Sequence, residues 1–354
     1  MKNIKRIYLL LLVIVTGVII SGCGGSASSE ATGEEEIPQA ENAPDPLENP
    51  VDIKIGYPTQ GVSMLPLWIA EDKGIFEKYG INAELLYISG TPKVQETLNG
   101  GGIDVGLTGV DSVAKAKEVG VDSIILAPLA DRMATYVYAA EGTDKEDLKN
   151  ELKDKTLITA SEGSIYDHLA KYFVEENGLK PNEDVNMLYM GGEGDRTAAF
   201  MKGDGEYYVV SPPTSFKMDD LEFPRVYDFT DLEVLVTGVV MKEDYYEENP
   251  DLAEVLIASL IEANAYIVNN KEQSIETITK WTGIDDPEIA EKTYDVNLDT
   301  IPKKPYVSNE SVEFLLNSSD EEAVRNMNPS DIIDFSLVEE LDESGFIDSL
   351  YENN

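Results

Sequence analysis

Two short glycine turns stand where backbone N–H groups are free to face a ligand. Gly163-Ser164 comes directly before an amphipathic stretch that starts at Ile165, and serine is a favoured helix N-cap residue. Thr108-Gly109 follows a strand-like alternation and precedes a second predicted helix near Asp111. A helix start presents unpaired N–H donors and the positive end of the helix dipole. Both turns are therefore predicted to face a ligand, and Gly163-Ser164 suits a carboxylate, sulfonate or carbonyl oxygen.

Other side-chain chemistry is scarce in this chain. Cys23 is the only cysteine and His168 is the only histidine. These counts exclude an intrachain disulfide and a histidine or cysteine zinc site. Serine–histidine and cysteine–histidine catalysis would both need His168, which has no motif around it. We therefore predict no catalytic residue, no metal site and no cofactor.

The Thr108-Gly109 turn belongs to a helix–strand–turn–helix unit at residues 91–112, TPKVQETLNGGGIDVGLTGVDS. Thr91 is predicted as an N-cap, and Pro92 suits the first helical position. Three consecutive glycines then end the helix, and the alternation of residues 103–107 predicts a strand. Such units build a sheet flanked by helices, with the ligand surface at the carboxyl ends of the strands. The unit thus predicts an α/β fold.

The charge balance is strongly acidic. The 354 residues allow two domains with real cores, but they include 68 acidic and only 27 basic residues. Self-repulsion destabilises a compact state of such charge unless ions screen it, so we predict adaptation to a saline exterior. An ordinary acidic protein is the alternative. Nucleic-acid binding is excluded, because no basic stripe exists to meet phosphates.

The N-terminus has the form of an export signal. Lys2, Lys5 and Arg6 precede an apolar run that is too short for a comfortable membrane-spanning helix. Ile20-Ser21-Gly22-Cys23 looks like a bacterial lipobox, whose cysteine is lipidated after residues 1–22 are removed. That removal takes away three basic residues and no acidic one, so the net charge goes from −41 to −44. Residues 23–50 are rich in Gly, Ser, Glu and Pro and are predicted to form a disordered acidic tether.

Several motifs in order resemble the solute-binding proteins of ABC importers, in the group named for sulfonate, nitrate and thiamine-pyrimidine binding. The matches include IDVGLTG after the glycines, an A-x-x-x-G-x-F helix at Ala70, and a G-S-x-x-x-x-L signature at Gly163. The resemblance runs from about residue 52 to the C-terminus. It implies an α/β, two-lobed type II periplasmic-binding-protein fold in which each lobe is a sheet flanked by helices. Two crossover strands would form the hinge, with lobe 1 at residues 51–138 and 236–354 and lobe 2 at residues 139–235.

The resemblance also implies a ligand site in the cleft between the lobes. The residues that it places there are Gln60, Ser63, Met64, Leu65, Trp68, Thr108, Gly109, Asp111, Tyr136, Glu162, Gly163, Ser164, Ile165, Pro213 and Thr214. Trp68 either packs in the core or stacks on the ligand, and Tyr136 either faces the cleft or is half-buried in its strand. The turn at residues 212–214 lacks the tryptophan and acid that are usual in the family, which leaves the ligand open. Arg132 and Arg196 are near the predicted loops but are not assigned to the cleft.

The resemblance predicts a function in import. The protein would be a monomer, anchored by lipid at Cys23 on the extracytoplasmic face of the cell membrane, and would deliver a small molecule to permease subunits. Organic sulfonates such as taurine are the first expectation and a thiamine-type pyrimidine the second, with Trp68, Tyr136 or Tyr166 to stack on it. Nitrate would need an arginine or lysine in the site. An enzyme of pyrimidine or menaquinone synthesis and a ligand-sensing lipoprotein are the alternatives of other classes, and paired carboxylates stay open as catalytic groups.

Overall fold

The computed structural model describes residues 40–352 and contains two five-stranded mixed sheets. The predicted signal peptide and Cys23 lie outside the described residues. The first sheet has the order β2-β1-β3-β10-β4, in which β10 is antiparallel to both its neighbours. Strand β3 lies at the centre of this order and β4 at its end, and every residue of both strands is buried. Its strands are β1 (Val51–Tyr57), β2 (Ile81–Tyr87), β3 (Val105–Thr108), β4 (Ser123–Ala130) and β10 (Thr237–Lys242).

The second sheet has the order β7-β6-β8-β5-β9. Strand β6 is parallel to β7 and β8, whereas β5 is antiparallel to β8 and β9. Phe173 and Leu169 pack on one face of this sheet, and Phe200 and Met218 pack on the other. Its strands are β5 (Tyr136–Ala139), β6 (Thr156–Thr159), β7 (Asn186–Tyr189), β8 (Tyr207–Val210) and β9 (Arg225–Asp228).

Helices flank both sheets. Those of the N-terminal half are α1 (Leu65–Asp72), α2 (Ile75–Lys78), α3 (Thr91–Asn99), α4 (Val110–Glu118), α5 (Leu148–Leu152), α6 (Ile165–Glu176), α7 (Glu193–Lys202) and α8 (Thr214–Asp220). Those of the C-terminal half are α9 (Glu243–Glu248), α10 (Pro250–Asn269), α11 (Lys271–Thr282), α12 (Pro287–Leu298), α13 (Asn309–Asn317), α14 (Glu322–Arg325), α15 (Ser336–Glu343) and α16 (Phe346–Ser349). Within residues 40–352, none of these helices has the length and apolar character needed to cross a bilayer.

The chain passes twice between the sheets. Strand β4 ends in the first sheet at Ala130, and β5 opens the second sheet at Tyr136. After β9 the chain returns, and Val239 pairs with Leu107 in the first sheet. Two sheets flanked by helices and joined by two crossings confirm the predicted two-lobed architecture. The residues at which one lobe passes into the other stay a prediction.

Two local features differ from the expected pattern. Gly90 caps α3 and Thr91 is its first residue, so the helix starts one residue earlier than predicted. Residues 40–50, the last part of the predicted tether, lie against the domain. The Leu47 N–H donates to the Tyr79 carbonyl at 3.1 Å, and the Ser349 hydroxyl donates to the Glu41 carbonyl at 2.9 Å. These bonds and the half-buried Leu47 side chain hold a segment that composition alone predicts to be disordered.

Candidate functional site

A cavity of about 380 Å³ lies between the two sheets and receives residues from both lobes. The first lobe contributes the loops after β1 and β2, with the start of α3 at Thr91. The second lobe contributes the loops before α6, α7 and α8. The polar lining includes Thr59, Gln60, Ser63, Ser89, Thr91, Ser161, Ser164, Glu193, Arg196, Ser211, Thr237, Thr282 and Asn297, and the aromatic lining includes Tyr87 and Tyr166.

Five of the predicted site residues line this cavity. They are Gln60, Ser63, Ser164, Ile165 and Pro213. Gln60 and Ser63 precede α1 in the first lobe, whereas Ser164 and Ile165 begin α6 in the second lobe. The structure thus brings the two predicted loops together across the cleft.

The predicted α1 residues lie elsewhere. Met64, Leu65 and Trp68 are buried in the core and do not line the cavity. The Trp68 ring stacks on the Trp281 ring, with 5.6 Å between centroids and 5° between planes. A ligand cannot stack on that covered face, so Trp68 serves the packing of α1 against α11.

Thr108-Gly109 also lies outside the lining. Thr108 is fully buried, and its hydroxyl donates to the Thr91 carbonyl at 3.0 Å. The turn therefore fixes the start of α3, and α3 reaches the cavity in its place. A Cβ built on Gly109 meets no atom within 4 Å among residues 40–352.

The donors of the Gly163-Ser164 turn are mostly used by the protein itself. The Gly163 N–H donates to Asp167 Oδ2 at 2.9 Å, and the Ser164 N–H donates to the Ser161 carbonyl at 3.1 Å. The Ser164 hydroxyl accepts the Asp167 N–H. Glu162, Gly163 and Asp111 do not line the cavity, and Asp111 is buried against Gly163. A carboxylate of the chain thus occupies the place at which a ligand anion was expected.

The last two predicted residues, Tyr136 and Thr214, lie outside the cavity lining. The Arg225 guanidinium lies 3.8 Å from the centre of the Tyr136 ring, and the ring is outside the lining. The Thr214 hydroxyl donates to the carboxylate of Glu193, which does line the cavity. Thr214 therefore orients the Glu193 side chain from outside the cavity lining.

Arg196 is the site residue that the sequence did not assign. It lies in the first turns of α7, is 4% exposed and lines the cavity. Arg132, in contrast, is exposed and does not line the cavity. Its Nη1 donates to the carbonyls of Met190 and Gly191 at 3.1 and 2.9 Å, which fixes the guanidinium. Its Nε has no hydrogen-bond partner among the described residues. The signal was the glycine-rich GGEGDR run at residues 191–196, which opens α7, because the side chain of an arginine one turn into a helix leans towards the helix start.

The cavity also holds free donors and one acid. The Thr91 hydroxyl is buried without a hydrogen-bond partner in the described part of the chain. Helices α3 and α7 begin at Gly90 and Gly192, neither of which supplies a side-chain cap. Glu193 and Arg196 stand one turn apart on α7, and no ion pair joins them among residues 40–352. A ligand with both a negative and a positive or donating group can use both charges.

Tyr166 lies beside Arg196 in the cavity lining. Burial, followed by the charge of Glu193, raises the pKa of Tyr166, so the phenol stays protonated. It donates to the Ser211 hydroxyl at 3.1 Å, and Arg196 lies 5.4 Å from the centre of its ring. The neutral ring is a flat wall of the cavity beside the guanidinium.

The sequence profile of the NMT1-like family matches residues 47–282, which include both sheets and the cavity loops of the second lobe. The chain belongs to the NMT1-like family. The matched region ends at Thr282, the last residue of α11.

The relatives of this NMT1-like protein include named binding proteins. YtlA of Bacillus subtilis (strain 168), named as a binding protein, is 22% identical over 245 residues, which are 68% of this chain and 73% of YtlA. The Escherichia coli (strain K12) protein named for aliphatic sulfonates is 25% identical over 246 residues, 68% of this chain and 75% of that protein. The nitrate-binding protein of Synechocystis PCC 6803 superposes with a TM-score of 0.65 at 17% identity, covering 86% of this chain and 91% of its own. This structural likeness shows a periplasmic-binding-protein fold.

Proposed function

We propose that this NMT1-like protein is the solute-binding component of an ABC importer and captures a small organic anion between its lobes. The observation that carries the proposal is Arg196, a buried cation in the cavity lining whose Nε has no partner among residues 40–352. A buried charge without a counter-charge is costly, so the site gains free energy when an anion enters. The start of α3, which has neither a side-chain cap nor an acidic residue in its first turn, also favours an anion, because its N–H groups lie at the positive end of the helix dipole.

The cavity favours an organic ligand over an inorganic ion. Its volume of about 380 Å³ is in the range of small-molecule pockets, and a nitrate ion would fill little of it. Glu193 in the lining adds a place for an ammonium group. A sulfonate of the taurine type has an anionic end for Arg196 and a cationic end for Glu193, and is the ligand that we propose first.

A thiamine-type pyrimidine is the second candidate. Tyr87 of the first lobe and Tyr166 of the second lobe both line the cavity, and Tyr87 is 47% exposed. Aromatic walls of this kind can stack on a heterocycle. The enzyme alternative gains no such support, because His168 lies outside the lining.

The proposed mechanism is hinge closure. A ligand that contacts Thr91 in one lobe and Arg196 in the other lowers the free energy of the closed state relative to the open one. We further propose that the protein acts as a monomer on the extracytoplasmic face of the membrane, anchored through Cys23, and that permease subunits receive the ligand. The Ile20–Cys23 motif supports the anchor but lies outside the described residues.

Titration calorimetry with taurine, ethanesulfonate, nitrate and an aminopyrimidine tests the function. The variant Arg196→Met removes the charge and keeps much of the volume, and we expect it to lower sulfonate affinity about tenfold to a hundredfold, as loss of a buried charged partner does. Arg132→Met is the matched control, because Arg132 is exposed and outside the lining. Equal sulfonate affinity in the two folded variants would contradict the proposed site.

A further inference from the structure

Lys171 joins the two lobes at a position away from the cavity. It lies on α6 in the second lobe and is 5% exposed. Its Nζ is 3.2 Å from Asp167 Oδ2 on the same helix and 2.9 Å from Asp320 Oδ2 in the loop between α13 and α14. That loop belongs to the first lobe, because residues of α13 and α14 pack in one core with residues of α3 and α4. One buried ammonium group therefore bonds to both lobes.

Other contacts cross at the same place. His168 Nδ1 shares a hydrogen bond with the Ser318 hydroxyl, and the Lys171 ammonium also reaches the Ser318 carbonyl at 3.5 Å. Asp111 on α4 faces Gly163 so closely that a Cβ there would overlap its carboxylate. We call Asp111, Asp167, His168, Lys171, Ser318 and Asp320 the interlobe cluster.

The interlobe cluster is connected to the cavity through Asp167. The Asp167 carboxylate accepts the Gly163 N–H, and its own N–H donates to the Ser164 hydroxyl. Ser164 lines the cavity. Two bonds, from Lys171 to Asp167 and from Asp167 to Ser164, therefore lead from the contact between the lobes to a cavity residue.

We propose that Lys171 is a positioning residue that latches α6 of the second lobe onto the first lobe and so sets the population of the closed form. Opening would break the bonds to Asp320 and Ser318 but leave Lys171 paired with Asp167. Since the charge keeps one partner in either form, the two forms can differ by little free energy, which a reversible closure requires. The effect on affinity rests on the function proposed above, whereas the effect on closure does not.

Closure can be measured without any ligand. In the full chain with Cys23→Ser, the exposed residues Val119 of the first lobe and Met201 of the second lobe are replaced by cysteine and labelled with nitroxides. Pulsed electron resonance then gives the interlobe distance distribution. We expect Lys171→Met to shift this distribution towards longer distances and to weaken taurine binding about tenfold. Lys180→Met breaks an exposed ion pair with Glu183 and is the matched control, expected to change neither.

A second variant tests the latch without leaving Asp167 unpaired. Asp320→Asn removes the carboxylate charge that Lys171 meets in the first lobe and leaves Asp167 in place, but Asp320 also faces the Glu162 carboxylate. The comparison is therefore between Glu162→Gln and Glu162→Gln with Asp320→Asn, both checked for folding by circular dichroism. A longer distance in the double variant supports the latch. An unchanged distribution overturns it, even if sulfonates bind as proposed, and a shift without any sulfonate binding would overturn only the proposed function.

Discussion

Arg196 uses only part of its hydrogen-bonding capacity inside the protein. Two carbonyls, of Met190 and Gly191, accept bonds from one of its terminal nitrogens, which fixes the plane of the guanidinium. Guanidinium carries five N–H donors in a planar fork that matches carboxylate and sulfonate oxygens. The protein thus holds the cation rigid and leaves donors for a planar or tetrahedral oxyanion, at little further loss of side-chain entropy on binding.

The carboxylate of Glu193 makes a prediction about ligand charge. Glu193→Gln keeps the shape of the side chain and removes its negative charge. We expect taurine affinity to fall, because the ammonium loses its partner, and ethanesulfonate affinity to rise, because repulsion of the anion disappears. Calorimetric titration of the two ligands into both proteins measures this crossed effect. Parallel changes for the two ligands would show that Glu193 does not bind the ammonium group of taurine.

His168 predicts a pH dependence of stability. Burial lowers the pKa of His168 from its ordinary value of 6.5, although Asp111 and Asp167 oppose that shift, and Lys171 and Lys115 reinforce it. The folded state therefore disfavours the proton that the unfolded chain accepts below pH 6.5. The stabilisation is present above that pH and is lost as the pH falls through the lowered pKa.

The measurement compares melting temperatures from pH 8 to pH 5 for the wild-type protein and His168→Asn. An asparagine amide can replace the Nδ1 contact with Ser318 but does not titrate. We expect the wild-type protein to lose more stability over this interval than the variant. Identical slopes would mean that the imidazole is protonated equally in the folded and unfolded states.

At the scale of elements, two glycines at the starts of α4 and α6 differ in whether their position could hold a side chain. Gly163 has φ +74° and lies against Asp111, whereas Gly109 has φ −103° and open space around its Cα. Alanine in the left-handed region costs about 1–2 kcal/mol before any overlap is counted. We expect Gly163→Ala to lower the melting temperature and Gly109→Ala to leave it nearly unchanged. A Gly109→Ala protein as unstable as Gly163→Ala would contradict these turn conformations.

The elements could be predicted from the sequence because hydrophobic period and caps are local. The helix predicted to start at Ile165 is α6, and the strand predicted at residues 103–107 overlaps β3. The site could be predicted only in part. Arg196 points into the cavity, and the Gly163 N–H donates to Asp167. Both features depend on the rotational phase of a helix and on contacts between the lobes. Residue types at a turn do not carry that information.

At the scale of the whole molecule, the acidic net charge makes stability depend on salt concentration. A net charge of −41 repels itself over about 10 Å at 0.1 M salt but only about 3 Å at 1 M. We expect the melting temperature to rise markedly as sodium chloride increases from low to molar concentration. Sucrose at equal osmolarity is the control, because it stabilises without screening. A melting temperature that stays flat or falls with salt would exclude adaptation to a saline exterior.

The hydrogen bond between Glu41 and Ser349 places the extremities of the described chain side by side. Neighbouring ends are what a circular permutation needs, since a short Gly-Ser linker can join them without deforming either sheet. New ends could open at Val119-Gly120, where the backbone turns at φ +83° and Val119 is exposed. The first lobe would then be synthesised as two reordered pieces around an intact second lobe, which uncouples the order of synthesis from the architecture.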